Sequence, residues 1–242
     1  MKAVESFNFP TARYKTIRMS DVAVKKQKPE LGRPRSFDPD TALDRALQVF
    51  WTKGYEGASL SDLTRAMRIN RPSLYAAFGD KESLFRKALD RYMDRETPYW
   101  QDAINAPTLG EFVQRLLYGA ADAMCRAGTP GGCLLVQGAL ACSAEAEPVR
   151  RELIDRRHEG ELAIRERLKR AKREGDLPER ADPAALGQYL TTIMQGMAVQ
   201  AAGGASRSEL RRVVDTALRG WPGNRGLSKI RKKNRTPGDK KL

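Results

Sequence analysis

Between Ser59 and Lys81 the sequence gathers side chains suited to gripping a polyanion and reading hydrogen-bonding edges. Arg71 carries a planar fork of N–H donors that matches O6 and N7 on the major-groove edge of guanine. Ser73 can reach a base or a phosphate, and Ala76 and Ala77 are small enough to let a backbone approach a groove. Arg71, Pro72, Ser73, Tyr75 and Ala76 would together form the exposed N-terminal end of a short helix, where the positive end of the dipole faces phosphate. Ser59 and Lys81, each near a predicted helix N-terminus, suit phosphate contacts that fix register without reading sequence.

Such chemistry needs rigid, closely spaced helices. Asp38 followed by Pro39 signals a cap with proline in the first turn. Leu43, Ala46, Leu47 and Phe50 then mark one helical face, and Gly54 supplies a stop. Ser59 with Asp62 opens a second helix as a capping-box variant. The turn Met67–Asn70 leads to a third helix over Arg71–Phe78, ended by Gly79. Leu74 and Phe78 should pack inward on Leu60, Leu63 and Phe50. A fourth helix is predicted from near Asp80 through Leu84, Phe85, Leu89 and Tyr92 toward Trp100. Two short helices across a tight turn, preceded by a third, give the geometry of a helix-turn-helix.

The ordered residues Phe50-Trp51-Thr52-Lys53-Gly54-Tyr55, Ser59-Leu60-Ser61-Asp62-Leu63 and Arg71-Pro72-Ser73-Leu74-Tyr75-Ala76-Ala77-Phe78-Gly79-Asp80-Lys81-Glu82-Ser83-Leu84-Phe85 resemble the TetR family of bacterial transcriptional regulators. The resemblance implies an all-helical, dimeric, usually repressive protein with an N-terminal DNA-binding domain and a variable effector-binding domain. It also implies phosphate contacts at Tyr75 and Lys81 and base-reading positions at Arg71 to Ser73. One position departs from the pattern. The turn commonly has glycine where this chain has Arg68, and a left-handed residue other than glycine costs roughly 1 kcal/mol. Arg68 would also bring a cation near a DNA backbone.

Downstream, longer amphipathic segments predict about five more helices, about nine in all, and no period-two alternation predicts strands. Helices are predicted over Thr108–Ala127, Cys133–Ala141, Glu147–Gly175, 183–202 and 206–221. The last two carry apolar stripes, Leu186, Leu190, Ile193 and Met197, then Leu210, Val213, Val214, Ala217, Leu218 and Trp221. They would pair with their symmetry mates as a four-helix bundle. Met93, Trp100, Tyr118, Met124, Gln137, Met194 and Met197 are the candidate lining of an effector cavity, weighed against ordinary core. Cys133, after Gly131–Gly132 at a predicted helix N-terminus, is a candidate redox sensor, weighed against a buried structural thiol.

The chain has 242 residues and a net charge of +14. Residues 1–37 hold nine Lys/Arg and three Asp/Glu, and residues 222–242 hold eight bases and one acid, so the remainder is nearly neutral. The expected organisation is a basic arm over 1–36, a helix-turn-helix domain over 37–85, an effector and dimerisation domain over 86–221, and a basic tail over 222–242. Arg33 and Arg35, in the run Gly32-Arg33-Pro34-Arg35, could lie in an A·T-rich minor groove. Three cysteines and one histidine argue against a disulfide framework or a metal site. No cofactor, signal peptide or membrane partner is expected, and a cytoplasmic location fits. The expected function is a dimeric regulator, a repressor released from a palindromic operator by an unidentified small molecule. Two rival readings are a helical thiol-dependent enzyme using Cys133 and His158, and a non-specific nucleic-acid binder driven by the tails.

Overall fold

Proline, glycine and short polar caps divide the chain into helices. The computed structural model describes residues 37–140 and 146–222; Arg33, Arg35, Cys142 and both basic tails lie outside the described residues. Among the described residues there are ten helices and no strand: α1 (Pro39–Gly57), α2 (Leu60–Met67), α3 (Arg71–Phe78), α4 (Lys81–Glu96), α5 (Pro98–Ile104), α6 (Leu109–Met124), α7 (Leu134–Leu140), α8 (Glu147–Arg173), α9 (Pro183–Ala202) and α10 (Arg207–Arg219). The expected all-helical class holds, with one more helix than expected. Pro98 has no N–H to donate and disfavours helical backbone at the residue before it. Thr97 accordingly sits at φ −117° and ψ 28°, and the predicted fourth helix splits there into α4 and α5.

The N-terminal helices close over an aromatic cluster. α1 buries Ala42, Ala46, Leu47, Phe50 and Trp51. Phe50 meets Phe85 of α4 edge-on with ring centroids 5.0 Å apart, and Trp51 meets Tyr92 edge-on at 4.9 Å. These contacts tie α1 to α4, which runs unbroken through the expected boundary at 85/86 to Glu96. The described residues from Pro39 onward form one compact unit.

In the second half, α6 is the central helix. It buries eight side chains from Leu109 to Met124 and is packed by α5, α9 and α10. Tyr99 of α5 lies flat on α6 because residue 119 is glycine; a Cβ there would stand 2.5 Å from the Tyr99 Cβ. α8 packs against α7 and α9.

Candidate nucleic-acid interface

The geometry starts at the caps. Ser59 opens α2 with a complete capping box: its hydroxyl accepts from the Asp62 amide at 3.0 Å, while the Asp62 carboxylate accepts from the Ser59 amide at 3.3 Å. Lys53, near the end of α1, pairs with the same carboxylate at 2.9 Å. The hydrogen bonds from Lys53 and Ser59 hold the Asp62 carboxyl down at about 2. Lys53 is thereby fixed beside the N-terminus of α2, a cation that sequence reading missed because its partner lies in the next helix. α2 ends at Arg68, whose backbone is left-handed at φ 58° and ψ 43°. Asn70 then caps α3 by accepting from the Ser73 amide at 2.8 Å, with Pro72 in the first turn.

α3 is two-sided, as a recognition helix must be. Leu74 and Phe78 are buried, while Arg71, Pro72, Tyr75 and Ala76 are exposed and Ser73 is half-buried. Tyr75 keeps 49% of its surface free. The Arg71 Nη2 donates to Ser61 Oγ on α2 at 3.2 Å. Ser61 was not among the predicted site residues; its only sequence signal is a position in the first turn of α2, facing the start of α3. Lys81, the first residue of α4, holds its ammonium 4.5 Å over the Tyr55 ring, and partial burial lowers its pKa. Ser59, by contrast, has its hydroxyl engaged with Asp62 at 2.8 Å.

A short helix with one apolar and one exposed polar face, joined to its partner by a tight capped turn, is the arrangement that enters a major groove. Residues 42–88 match the family model described as bacterial regulatory proteins, tetR family, and residues 111–217 match that of the tetracyclin repressor-like C-terminal domain. The chain belongs to the TetR family of bacterial transcriptional regulators. It is 36% identical over 205 residues to the HTH-type transcriptional repressor ComR of Escherichia coli, covering 84% of this chain and 96% of that protein. It is 30% identical over 190 residues to the repressor BdcR of the same organism, covering 78% of this chain and 91% of BdcR. Among solved structures, a cysteine mutant of the regulator CifR bound to 26-base-pair operator DNA matches with a TM-score of 0.75 and 46% identity, over 78% of this chain and all of that one. TetR-family regulators are not enzymes, which removes the thiol-catalyst reading of Cys133 and His158. No described helix is long and apolar enough to cross a membrane.

Outside the DNA-binding helices of this TetR-family chain, the predicted residues fall into groups. Met124 and Met197 are buried, and Met93, Trp100, Gln137 and Met194 are half-buried. Gly132 brings α7 and α9 together: a Cβ there would stand 2.8 Å from the Ala198 carbonyl and 3.0 Å from Gln137 Nε2. Trp100 lies instead against Gly160 of α8. Tyr118 stands apart, its hydroxyl donating to Asp215 of α10 at 2.5 Å and its ring under the Arg211 guanidinium. Cys133 is half-buried just before α7, hydrogen-bonded with the deeply buried Tyr92. Burial, then Cys133, pushes the Tyr92 and Tyr99 hydroxyls up. Of the apolar stripes, Leu190, Leu210 and Val214 are fully buried and Met197 nearly so, all within the chain itself, while Leu186, Ile193 and Val213 are half-buried.

Proposed function

We propose that this regulator is a homodimeric repressor that holds a palindromic operator through α3 of each chain and lets go when a small molecule binds among α4–α9. The observation that carries the reading is the two-sidedness of α3, which anchors Leu74 and Phe78 inside and presents Arg71, Tyr75 and Ala76 outward. Support comes from the repressors ComR and BdcR and from CifR held on operator DNA. In this reading Arg71 and Ser73 read bases, Tyr75 and Lys81 hold phosphate, and the outer faces of α9 and α10 join two chains. An effector shifts the population toward a conformer whose recognition helices no longer match half-sites about 34 Å apart. The protein would act on DNA in the cytoplasm. Selection of bound sequences from a random duplex library tests this. A palindrome should emerge and should be bound well above random duplex at fixed salt. Equal affinity for selected and random duplexes would instead point to charge-driven binding through the tails.

A second reading concerns the signal. Cys133 sits against the buried Tyr92 and the half-buried Tyr99, in the connection between α6 and α7, and the operator-bound CifR structure is that of a cysteine mutant. Cys133 is therefore proposed as a redox-sensing thiol. Mild oxidation should release the operator from the wild-type protein and leave Cys133→Ser bound; equal release of both would reject it.

A further inference from the structure

We infer that Arg68 is a phosphate contact in its own right, kept at the bend of the helix-turn-helix despite a backbone that favours glycine. The inference rests on the DNA-binding reading above and adds a residue to it. Arg68 is the one non-glycine residue with positive φ among the described residues. The bend fixes that conformation: the Arg68 amide donates to the Arg65 carbonyl at 3.3 Å and the Ile69 amide to the Thr64 carbonyl at 3.1 Å. In this region a Cβ crowds the following carbonyl, and only glycine is free of the clash. Elsewhere the chain obeys that rule. Gly54, Gly79, Gly128, Gly131, Gly132, Gly175 and Gly204 hold every other described positive φ. An outlier of this kind is a reason to look for function.

A local structural benefit does not account for it. A cation is favourable at a helix C-terminus, but Arg65 already occupies the last turn of α2. The Arg68 side chain is exposed and makes no hydrogen bond or ion pair among the described residues. Its backbone, in contrast, is anchored at the end of α2 and lies two residues before Asn70, the cap of α3. A fixed stem carrying an uncommitted guanidinium beside the exposed end of α3 suits a phosphate oxygen pair, which a guanidinium binds with two parallel N–H bonds. Such a contact adds affinity and fixes register without reading bases.

The test uses the full chain and the selected operator duplex. Arg68→Gly relieves the backbone and removes the charge, Arg68→Asn removes the charge on a residue that tolerates the bend, and Arg68→Lys keeps the charge. Arg68→Gly should melt no lower than wild type, yet bind about fivefold to tenfold more weakly per chain at 0.1 M salt. Its slope of log affinity against log salt should flatten by about one unit per chain, with the ranking of operator variants unchanged. Arg68→Asn should behave alike in binding, and Arg68→Lys should recover the slope. An unchanged slope in Arg68→Gly, with wild-type binding normal, would overturn the inference alone. Failure of the wild-type chain to bind any duplex would overturn the DNA-binding reading and this inference with it.

Discussion

Arg71 is steadied by a neighbour that carries no charge. Its hydrogen bond to Ser61 joins two exposed residues, so its net worth is about 1 kcal/mol or less. What it supplies is aim: a long side chain with one N–H already committed has fewer orientations to lose on meeting a base. Arg71→Ala should weaken binding of the selected operator by about 1–3 kcal/mol and relax preference at one base position per half-site. Ser61→Ala should lose under about 1 kcal/mol, at that same base position, because it acts through Arg71. Equal weakening of Arg71→Ala on every duplex would assign Arg71 to phosphate. Tyr75 is a different case. Its ring packs little, being half exposed, so Tyr75→Phe should change stability by less than about half a kcal/mol. Binding should drop uniformly across duplexes, as expected for a hydroxyl on a phosphate oxygen. A changed operator preference would show that it reads a base.

Between elements, the firmest polar contact joins α6 to α10. Asp122 takes two hydrogen bonds from Arg207, at 2.6 and 2.5 Å, and two from Arg211, at 2.9 and 2.7 Å. Burial opposes ionisation of Asp122, but the two guanidinium groups outweigh it and hold the carboxyl at about 2 against a usual 3.8. The folded value is the lower one, so the stabilisation is fully present above about pH 4 and fades as pH falls toward 2. Asp122→Asn should cost about 1 kcal/mol at neutral pH, since solvent screens a carboxylate that is still one-third exposed, and should flatten urea stability between pH 4 and 2. An unchanged acid limb would show that the clamp contributes nothing. This contact was not legible in the sequence, where its partners lie far apart. Local features were legible: the capping box at Ser59 forms as read, and Asn70 ends the turn before α3. The split at Thr97 was missed because the apolar spacing through Tyr92 and Trp100 continues across a proline that a period-based reading passes over. Periodicity also identified the stripes of α9 and α10 without telling which partner each side chain meets.

That last ambiguity matters for the molecule as a whole, because a helix stripe can be buried by its own chain or by a second copy. Leu190, Leu210 and Val214 are fully buried in the single chain. They hold α9 and α10 onto α6, and a charge at Val214 would strike the protomer's own core, not a seam. The face left outside is a groove of about 540 Å³ lined by Tyr189, Ile193, Val213 and Thr216, among others, and rimmed by Glu209 and Arg212. Tyr189 in this groove and Val199 farther along α9 are 45% and 53% exposed, large apolar surface for a chain on its own. Glu209 and Arg212 pair with each other at 3.9 Å and Glu209 also caps α10, so the apolar side chains of the groove are what a copy related by a twofold axis would cover. The expected seam therefore runs through Ile193 and Val213, and the half-buried Ile193 and the fully buried Val214 give opposite outcomes under the same substitution. Ile193→Glu should fold with normal helix content and run in light scattering at the 27.0 kDa chain mass. Its operator binding should collapse, because two half-sites are then bound by separate chains and not by one joined pair. Val214→Glu should instead lose about 3–5 kcal/mol of stability through an unpaired buried charge, and give little folded protein of any mass. Ile193→Glu running at twice the chain mass with operator affinity intact would move the interface to another face of the molecule.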